Sequence, residues 1–315
     1  MIDRRIILGI DTSNYTTSVA LMYEDGELIA NIKRPLPVGE GERGLRQSEA
    51  VFAHIKNIPS AMEEARGILN GRTPSAVGVS ERPRNLDGSY MPCFLSGVAV
   101  AEAVSASLGV PLYRFSHQCG HVMAALYSSG SEELMEEKFA AFHVSGGTTE
   151  LLLVKGGELG FDAELVGGTK DLNAGQVIDR IGVYLGMPFP AGPHLERAAV
   201  AYSGKIPSKK VSVDGTYANL SGLENMARKI YDESGDVGKT ATFVFEYIGN
   251  AIAAMCDNLI KTHGEMPFVF AGGVMCNSII KNKLKSRFDA LFAEPLMSAD
   301  NAVGIAELTR ISFIK

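Results

Sequence analysis

The sequence lacks the features that mark membrane proteins, secreted proteins and zinc fingers. It contains no run of ~18 apolar residues, the length that a membrane-spanning helix needs, and the apolar segment at residues 6–10 is too short for a signal peptide. Its four cysteines, Cys93, Cys119, Cys256 and Cys276, show none of the paired spacings of zinc sites. We therefore expect a cytoplasmic protein without membrane contact, whose thiols are buried or incidental.

An excess of positive charge is also absent. The chain has 30 lysines and arginines against 36 aspartates and glutamates, a net charge of −6 at pH 7. Proteins that bind nucleic acid unaided neutralise phosphates with clustered Lys and Arg, so this composition argues against such a binder. Nucleic acid bound with the help of partners remains open. At 315 residues, with 46% hydrophobic and 21% charged residues, the chain is long enough for two globular domains.

A small-residue turn between two apolar segments is the pattern that organises the chain. Ser145, Gly146 and Gly147 follow the apolar residues 141–144, and residues 151–154 are apolar again. This pattern predicts a β-hairpin, and glycines at its tip would let a phosphate approach the backbone N–H groups. An ordinary hairpin turn has the same sequence features.

The same pattern recurs near both ends of the chain. Asp11, Thr12 and Ser13 join two predicted strands at residues 6–10 and 18–23, and we interpret them as a phosphate-binding turn. Toward the C-terminus, predicted strand residues 268–271 lead into Gly272 and Gly273, and Asn277 opens a helical segment.

This layout is typical of the actin-like ATPase (ASKHA) superfamily, in which two duplicated α/β domains enclose a central nucleotide cleft. We therefore expect one lobe at residues 1–130, a second at residues 131–300, and a C-terminal helix at 301–315 that packs back on the first lobe.

Periodicity gives the remaining elements. It predicts helices over residues 51–69, 94–108, 174–185, 195–202, 220–231, 241–262 and 302–311, with 94–108 buried. It predicts further strands at 76–79 and 110–113, a polar loop at 39–44, a turn at 167–171 and an irregular exposed segment at 203–218.

Two histidines stand at helical spacing after a capping residue. Ser116 is a suitable N-cap, and His117 and His121 fall on one face of the helix that it begins. This spacing presents two imidazoles to a divalent cation. Two hydrogen-bonded, partly buried histidines would look the same in the sequence.

Eight short motifs in register give the chain, over essentially its whole length, a resemblance to the tRNA threonylcarbamoyladenosine synthases (TsaD, the "glycoprotease" or Gcp family). They are Gly9-Ile10-Asp11-Thr12-Ser13, His117 with His121, Val144-Ser145-Gly146-Gly147, Asp171 with Ala174, Gly175 and Asp179, Pro190-Ala191-Gly192-Pro193, Leu220-Ser221-Gly222-Leu223, Ala271-Gly272-Gly273-Val274 with Asn277, and Asp300-Asn301-Ala302.

The resemblance implies an enzyme that transfers a threonylcarbamoyl group from threonylcarbamoyl-adenylate to N6 of an adenine in tRNA. It implies one divalent metal, iron or zinc, on His117, His121 and Asp300. It also implies an adenine nucleotide bound by Val144, Ser145, Gly146, Gly147, Asp179, Gly192, Gly272, Gly273 and Asn277. No catalytic side chain is assigned, because the acceptor amine itself attacks.

Several positions depart from the family pattern. Family members commonly read Glu-Thr-Ser-Cys-Asp-Glu-Thr at residues 11–17, Gly-Pro-Gly-Leu after Val79, and His-Thr-Gln after Gly147. The residues of this chain that differ from the family pattern, at these and at further positions, are Asp11, Asn14, Tyr15, Ser80, Thr148, Glu150, Leu172, Gln176 and Glu224. These changes suggest a divergent paralogue.

Two alternatives therefore stay open: a carbamoyltransferase with another acceptor, and a non-catalytic nucleotide-binding or scaffold subunit. A sugar kinase or chaperone ATPase would use acidic residues in the first turn, and a protease of the H-E-x-x-H type lacks its glutamate here. The resemblance further implies that tRNA is bound with partner subunits. It points to a heterodimer with a smaller actin-like subunit through residues 51–69, although that segment also fits a core helix; a homodimer is the other option.

Overall fold

The computed structural model describes residues 4–13, 15–37, 45–85, 88–157, 160–298 and 300–315. The predicted polar loop at 39–44 and the departure at Asn14 lie outside these residues. The chain divides into two compact units. The first comprises Met1–Glu137, Lys155–Ala163 and Leu296–Lys315, and the second comprises Lys138–Val154 and Glu164–Pro295. The first unit thus extends past the predicted boundary at 130 and includes two later segments.

The first unit contains a five-stranded sheet. Its strands are β1 Ile6–Thr12, β2 Thr16–Tyr23, β3 Leu28–Pro35, β4 Ala76–Arg82 and β5 Leu112–Ser116, in the order β3-β2-β1-β4-β5. β1 and β2 form the predicted antiparallel hairpin, whereas β4 runs parallel to β1 and to β5. The carboxyl ends of β1 and β4 therefore lie side by side.

Four helices of this unit cover the sheet or carry its functional residues. They are α1 Gln47–Leu69, α2 Phe94–Leu108, α3 His117–Ser129 and the C-terminal helix, Val303–Ile314, called α10 below. That last helix packs on α3 at very short range, because a Cβ at Gly304 would lie 1.9 Å from the backbone oxygen of Gly120. This contact holds the start of the C-terminal helix beside the histidine helix.

The second unit is built on a seven-stranded sheet. Its strands are β6 Phe139–Val144, β7 Thr149–Gly157, β8 Gly160–Thr169, β9 Val213–Asp214, β10 Tyr217–Ala218, β11 Phe268–Ala271 and β12 Ala290–Phe292. Their order is β12-β11-β6-β7-β8-β10-β9. β6 and β7 form the predicted hairpin, and β11 runs parallel to β6.

The helices of the second unit are α4 Ala174–Tyr184, α5 Gly192–Val200, α6 Ser221–Ser234, α7 Val237–His263 and α8 Ser278–Lys285. A single-turn helix, α9 Pro295–Ser298, precedes Asp300, and short 3-10 helices form at Glu132–Glu136 and Gly273–Cys276. The core between sheet and helices is aromatic at its centre. There the rings of Phe142, Phe270 and Phe292 stack, with centroids 5.2 and 4.9 Å apart.

Three sequence predictions need correction. α2 is not buried all round, because only one of its faces packs on the sheet and Leu95 remains 52% exposed. Gly167–Thr169 form the end of β8 rather than a turn, and the segment 203–218 contains the short strands β9 and β10. The sequence analysis does not predict the strands β3, β8 and β12. In the described part of the chain, no helix is both long and apolar enough to cross a membrane.

Candidate metal centre and glycine turns

The first turn of α3 places the two histidines on one face. Ser116 caps the helix as predicted, since its Oγ accepts a hydrogen bond from the amide of Cys119 at 3.2 Å. His117 and His121 follow one turn apart, and their ring centroids are 4.3 Å from each other. His121 is buried and His117 is nearly so.

Asp300 completes a cluster of three ligand groups. Its Oδ1 lies 3.2 Å from Nε2 of His121 and 3.6 Å from Nε2 of His117. One donor atom from each of the three residues falls within 4.8 Å of the others. Burial alone would raise the pKa of Asp300, but hydrogen bonds from both histidines and their charges hold it well below its usual range.

A second carboxylate orients His117 from the other side. Asp11 is fully buried at the carboxyl end of β1, and its Oδ1 lies 2.9 Å from Nδ1 of His117. The same oxygen accepts a hydrogen bond from the Ser80 hydroxyl. Burial disfavours the charged form of His117, but Asp11 and Asp300 outweigh it and raise the pKa of His117 to about 10. Because Nδ1 faces Asp11, the nitrogen that faces Asp300 is Nε2.

The three residues of the predicted phosphate turn are buried in this structure. Thr12 and Ser13 are as buried as Asp11, with exposures of 0% and 1%. The Thr12 hydroxyl donates to the backbone oxygen of Cys93 at 3.0 Å and accepts from the amide of Gly97 at 3.1 Å. The Thr12 hydroxyl thus joins β1 to α2, while Asp11 contacts His117. A phosphate contact of this turn stays a prediction.

The segment that carries Asp300 is fastened at two points. Lys33 Nζ, from β3, donates to the backbone oxygen of Leu296 at 2.9 Å. Asn301 donates from Nδ2 to the backbone oxygen of Met297 and accepts at Oδ1 from the amide of Val303, both at 3.0 Å. Sequence reasoning missed Lys33 and Ser80, since neither stands near the histidines in the chain.

The donor set of this cluster fits a divalent cation. Two imidazole nitrogens and one carboxylate oxygen are ligands suited to iron or zinc. A carboxylate on the far nitrogen of a ligating histidine, as Asp11 is on His117, is the usual support of such a ligand. The structure thus brings the predicted residues His117, His121 and Asp300 together. Beside them lies Asp11, which the sequence analysis assigns to a phosphate-binding turn.

In the second unit, the glycine hairpin is tied to the start of α4. Its tip closes with a hydrogen bond from Ser145 N to Thr148 O at 2.8 Å, and Gly146 and Gly147 are exposed. Asn173 Nδ2 donates to Gly147 O at 2.7 Å. A Cβ at Gly175 would lie 2.5 Å from Ser145 O, so α4 approaches the tip as closely as glycine allows.

The late glycine turn lies against the same hairpin. Gly272 has a φ of +99°, and a Cβ there would be 2.2 Å from the backbone oxygen of Val144. Asn277, predicted to contact nucleotide, caps α8: its Oδ1 accepts from the amides of Ile279 and Ile280, both at 3.1 Å. The cap uses Oδ1 alone, and a nucleotide contact of Asn277 stays a prediction.

Asp179 joins α4 to α5. One carboxylate oxygen, Oδ1, accepts from the amide of Ala191 at 2.8 Å, directly before Gly192 begins α5. Burial raises the pKa of Asp179, and the hydrogen bond from Ala191 partly offsets this. The structure thus places Asp179 against Ala191, the residue before the predicted Gly192, and Val144 against Gly272.

Two departures from the family pattern also have local partners. Gln176 Oε1 accepts from the amide of Asn173 at 3.0 Å and completes a capping box on α4. Glu224 forms ion pairs with Arg180 and Arg228, at 3.1 and 2.7 Å. These side chains stabilise the ends and faces of helices.

Solved structures resemble this fold at low sequence identity. Full-length HypF in a phosphate- and nucleotide-bound form matches with a TM-score of 0.61 and 12% identity; the match covers 100% of this chain and 56% of that one. Component A of the (R)-2-hydroxyglutaryl-CoA dehydratase of Acidaminococcus fermentans gives 0.56 and 13%, with 99% and 100% covered. A ROK-family glucokinase of Streptomyces griseus with glucose and AMPPNP gives 0.54 and 14%, with 97% and 99% covered. These likenesses confirm the expected actin-like ATPase fold.

Curated relatives match nearly the whole chain. Proteins named tRNA N6-adenosine threonylcarbamoyltransferase from Streptococcus suis and Desulfotalea psychrophila are 27% and 29% identical over 328 and 326 residues. The matches cover 99% and 96% of this chain and 93% and 90% of theirs. The family model described as TsaD, tRNA N6-adenosine threonylcarbamoyltransferase, matches residues 41–307. The chain therefore belongs to the TsaD family of transferases, as its motifs predict.

Proposed function

We propose that this protein transfers a threonylcarbamoyl group from threonylcarbamoyl-adenylate to N6 of adenosine in tRNA. The observation that supports it most is the cluster of His117, His121 and Asp300, formed in a chain of this family from residues far apart in sequence. Relatives across nearly the full length carry that activity in their names.

The transfer needs few groups from the protein. The N6 amine attacks the carbonyl carbon of the threonylcarbamoyl group, the carbon–oxygen bond to the adenylate phosphate breaks, and N6 loses a proton while AMP leaves. Since the amine is the nucleophile, no covalent intermediate on a side chain is required. The protein has to hold the adenylate, orient it and stabilise negative charge.

The first unit would hold one divalent cation, iron or zinc, through His117, His121 and Asp300. When bound, the cation would supply a Lewis acid for phosphate or carbonyl oxygens. Asp11 keeps Nδ1 of His117 occupied, which leaves Nε2 for ligation. Lys33 and Asn301 fix the segment on which Asp300 stands.

The second unit would bind the adenylate. Gly146 and Gly147 expose backbone N–H groups at the hairpin tip, which suit an anionic oxygen. Asp179 uses Oδ1 for Ala191, and its Oδ2 is the oxygen that we assign to a ribose hydroxyl. Gly272 and Gly273 would allow the nucleoside to approach the backbone.

A partner subunit belongs to this proposal. α1 exposes Phe52 and Ile55, each 59% accessible, on successive turns of its surface. Exposed neighbouring apolar side chains of this kind favour a protein contact. We assign this face to a smaller actin-like subunit; Phe52→Ser with Ile55→Ser should abolish co-elution with such a subunit and leave the unfolding midpoint unchanged. Location in the cytoplasm and the identity of the metal stay predictions.

The test is direct reconstitution. The purified protein is incubated with a threonylcarbamoyl-adenylate generating system, unmodified tRNA and the candidate partner subunit, and digested nucleosides are analysed by mass. We expect threonylcarbamoyladenosine, lost in the His117→Ala, His121→Ala double variant. If a relative such as the Streptococcus suis protein gives product under these conditions and this one does not, the proposal is wrong. Product on another added acceptor would favour a carbamoyltransferase of different specificity.

A further inference from the structure

Two buried polar side chains of the first unit contact each other beside His117. Asp11 lies near the carboxyl end of β1, and Ser80 lies near the carboxyl end of β4. In the structure, the Ser80 hydroxyl donates to Oδ1 of Asp11, across 69 residues of sequence. Both side chains are fully buried, with 0% exposure.

We propose that Asp11 and Ser80 together position His117 as a metal ligand. The Ser80 hydroxyl donates to Oδ1 of Asp11, the same oxygen that contacts His117, so the short carboxylate and the hydroxymethyl group occupy this site as a pair. The inference rests on the metal site of the proposed function. It adds Ser80, a residue distant from the ligands in sequence, as a positioning residue.

The sheet explains why these two residues meet. β1 and β4 are parallel neighbours with Ile10 opposite Val79, so the residues that follow, Asp11 and Ser80, lie near the carboxyl ends of adjacent strands. β5 is the next strand, and α3 begins directly after it with His117. The carboxyl ends of the three neighbouring strands β1, β4 and β5 thus place the Asp11 carboxylate, the Ser80 hydroxyl and the His117 imidazole close together.

The hydrogen bonds explain why both partners are needed. Oδ1 of Asp11 accepts from Ser80 and lies 2.9 Å from His117 Nδ1, while Oδ2 accepts from the amide of Ser13 at 3.3 Å. A buried carboxylate that loses a donor is strongly disfavoured. Without Ser80 we expect Asp11 to turn toward another donor, which would release His117 Nδ1 and with it the orientation of Nε2.

A double-mutant cycle tests the pairing, with Co²⁺ alone as the probe. Asp11→Glu and Ser80→Gly are made singly and together, and Co²⁺ affinity and the visible d–d spectrum are recorded for each protein. We expect each single change to weaken Co²⁺ binding about 10- to 100-fold, the range for supporting residues of metal ligands. The double variant should return to within about threefold of the parent and recover its spectrum, because total volume and the carboxylate contact are restored.

Matched controls separate this effect from general destabilisation. Ser105→Gly removes a hydroxyl that donates to Val110 O at 2.6 Å in the same unit, and Asp25→Glu lengthens an exposed carboxylate paired with Arg4. Neither should change Co²⁺ affinity. Unfolding midpoints are measured without metal. A single variant that does not fold, beside a double variant that folds and binds Co²⁺, also supports the pairing.

Additive losses in the double variant, or a double variant that does not fold, would overturn the inference. Failure of the metal site itself gives a different result. In that case the parent protein binds no Co²⁺, or binds it equally well after His117→Ala with His121→Ala. Either result contradicts the proposed function.

Discussion

Nε2 of His121 lies 3.2 Å from Oδ1 of Asp300, which joins the histidine helix α3 to the segment before the C-terminal helix. Lys33, Asn301 and Asp11 each fix one part of this junction through hydrogen bonds of 2.9–3.0 Å. A site supported in this way keeps its ligands in place before a cation binds, which is the arrangement that strong metal centres use.

The first prediction concerns metal content. His117→Ala with His121→Ala should remove the divalent ion, because it leaves one carboxylate of the three ligand groups. Elemental analysis of protein purified without chelator measures the loss, which should approach one ion per chain. The control is His54→Gln, another buried histidine, whose ring contacts Thr17 and Ser13 outside the cluster. Unchanged metal in the double variant would exclude this site.

The residues of this site differ in how well the sequence alone predicts them. The His117–His121 pair could be predicted, because residues four apart on a helix share a face and Ser116 marks the start of that helix. Asp300 could be assigned only through the family resemblance, since no local pattern links it to α3. The roles of Asp11 and Ser80 depend on the parallel pairing of β1 with β4, which periodicity does not reveal.

The elements of the fold also differ in how well local sequence predicts them. Hairpins with strong turn signals, such as β6–β7 at Ser145–Gly147, could be read from local sequence. β10 could not, because a two-residue strand owes its existence to pairing with β8 rather than to its own propensity. Asn277 was correctly placed at the start of α8, but the capping bonds from Ile279 and Ile280 give it a role that a nucleotide motif does not suggest.

The second prediction concerns Asp179. Asp179→Ala should weaken binding of AMP or ATP by about 1.5–3 kcal/mol, the scale of a hydrogen bond to a charged group. Isothermal titration calorimetry measures it, with Asp214→Ala as the control, because Asp214 is an exposed carboxylate of the same unit paired with Lys170. Asp179→Ala also removes the acceptor of Ala191 N, so the unfolding midpoint should be checked beside the affinity. Equal affinity of parent and variant would remove Asp179 from the nucleotide site.

The third prediction concerns the packing of the C-terminal helix on α3. Gly304→Ala should destabilise the protein by about 1–3 kcal/mol, since the added methyl would lie 1.9 Å from Gly120 O and the helices would have to separate. Because Asp300 precedes this helix and His121 follows Gly120, metal affinity should fall as well. Chemical denaturation and metal titration measure the two effects.

Gly67→Ala is the matched control for this change. Gly67 lies within α1, and apart from the adjoining backbone of that helix nothing lies within 4 Å of a Cβ placed there. It should stabilise the protein by about 0.5–1 kcal/mol, because alanine is the better helix former, and leave metal binding as it was. Equal effects of the two substitutions would show that the close approach at Gly304 does not hold α3.

The last prediction is that the protein alone binds tRNA weakly and with little discrimination. Its richest basic runs, residues 205–210 and 281–287, hold three and four cations. In the second run, Lys283 pairs with Glu246 at 2.6 Å and Arg287 with Asp257 at 2.7 Å, so part of that charge is already neutralised. Strong binders make about six to ten phosphate contacts, more than these runs supply.

A gel-shift assay at physiological salt, with and without the partner subunit, measures this directly. Affinity for tRNA should improve by at least tenfold when the partner is added, and the protein alone should hardly distinguish a cognate tRNA from another of equal length. Raising the salt should weaken the residual binding with a shallow slope, as expected for few phosphate contacts. Sub-micromolar, sequence-selective binding by the isolated protein would contradict the requirement for a partner, and the search for RNA contacts would then turn to its uncharged surfaces.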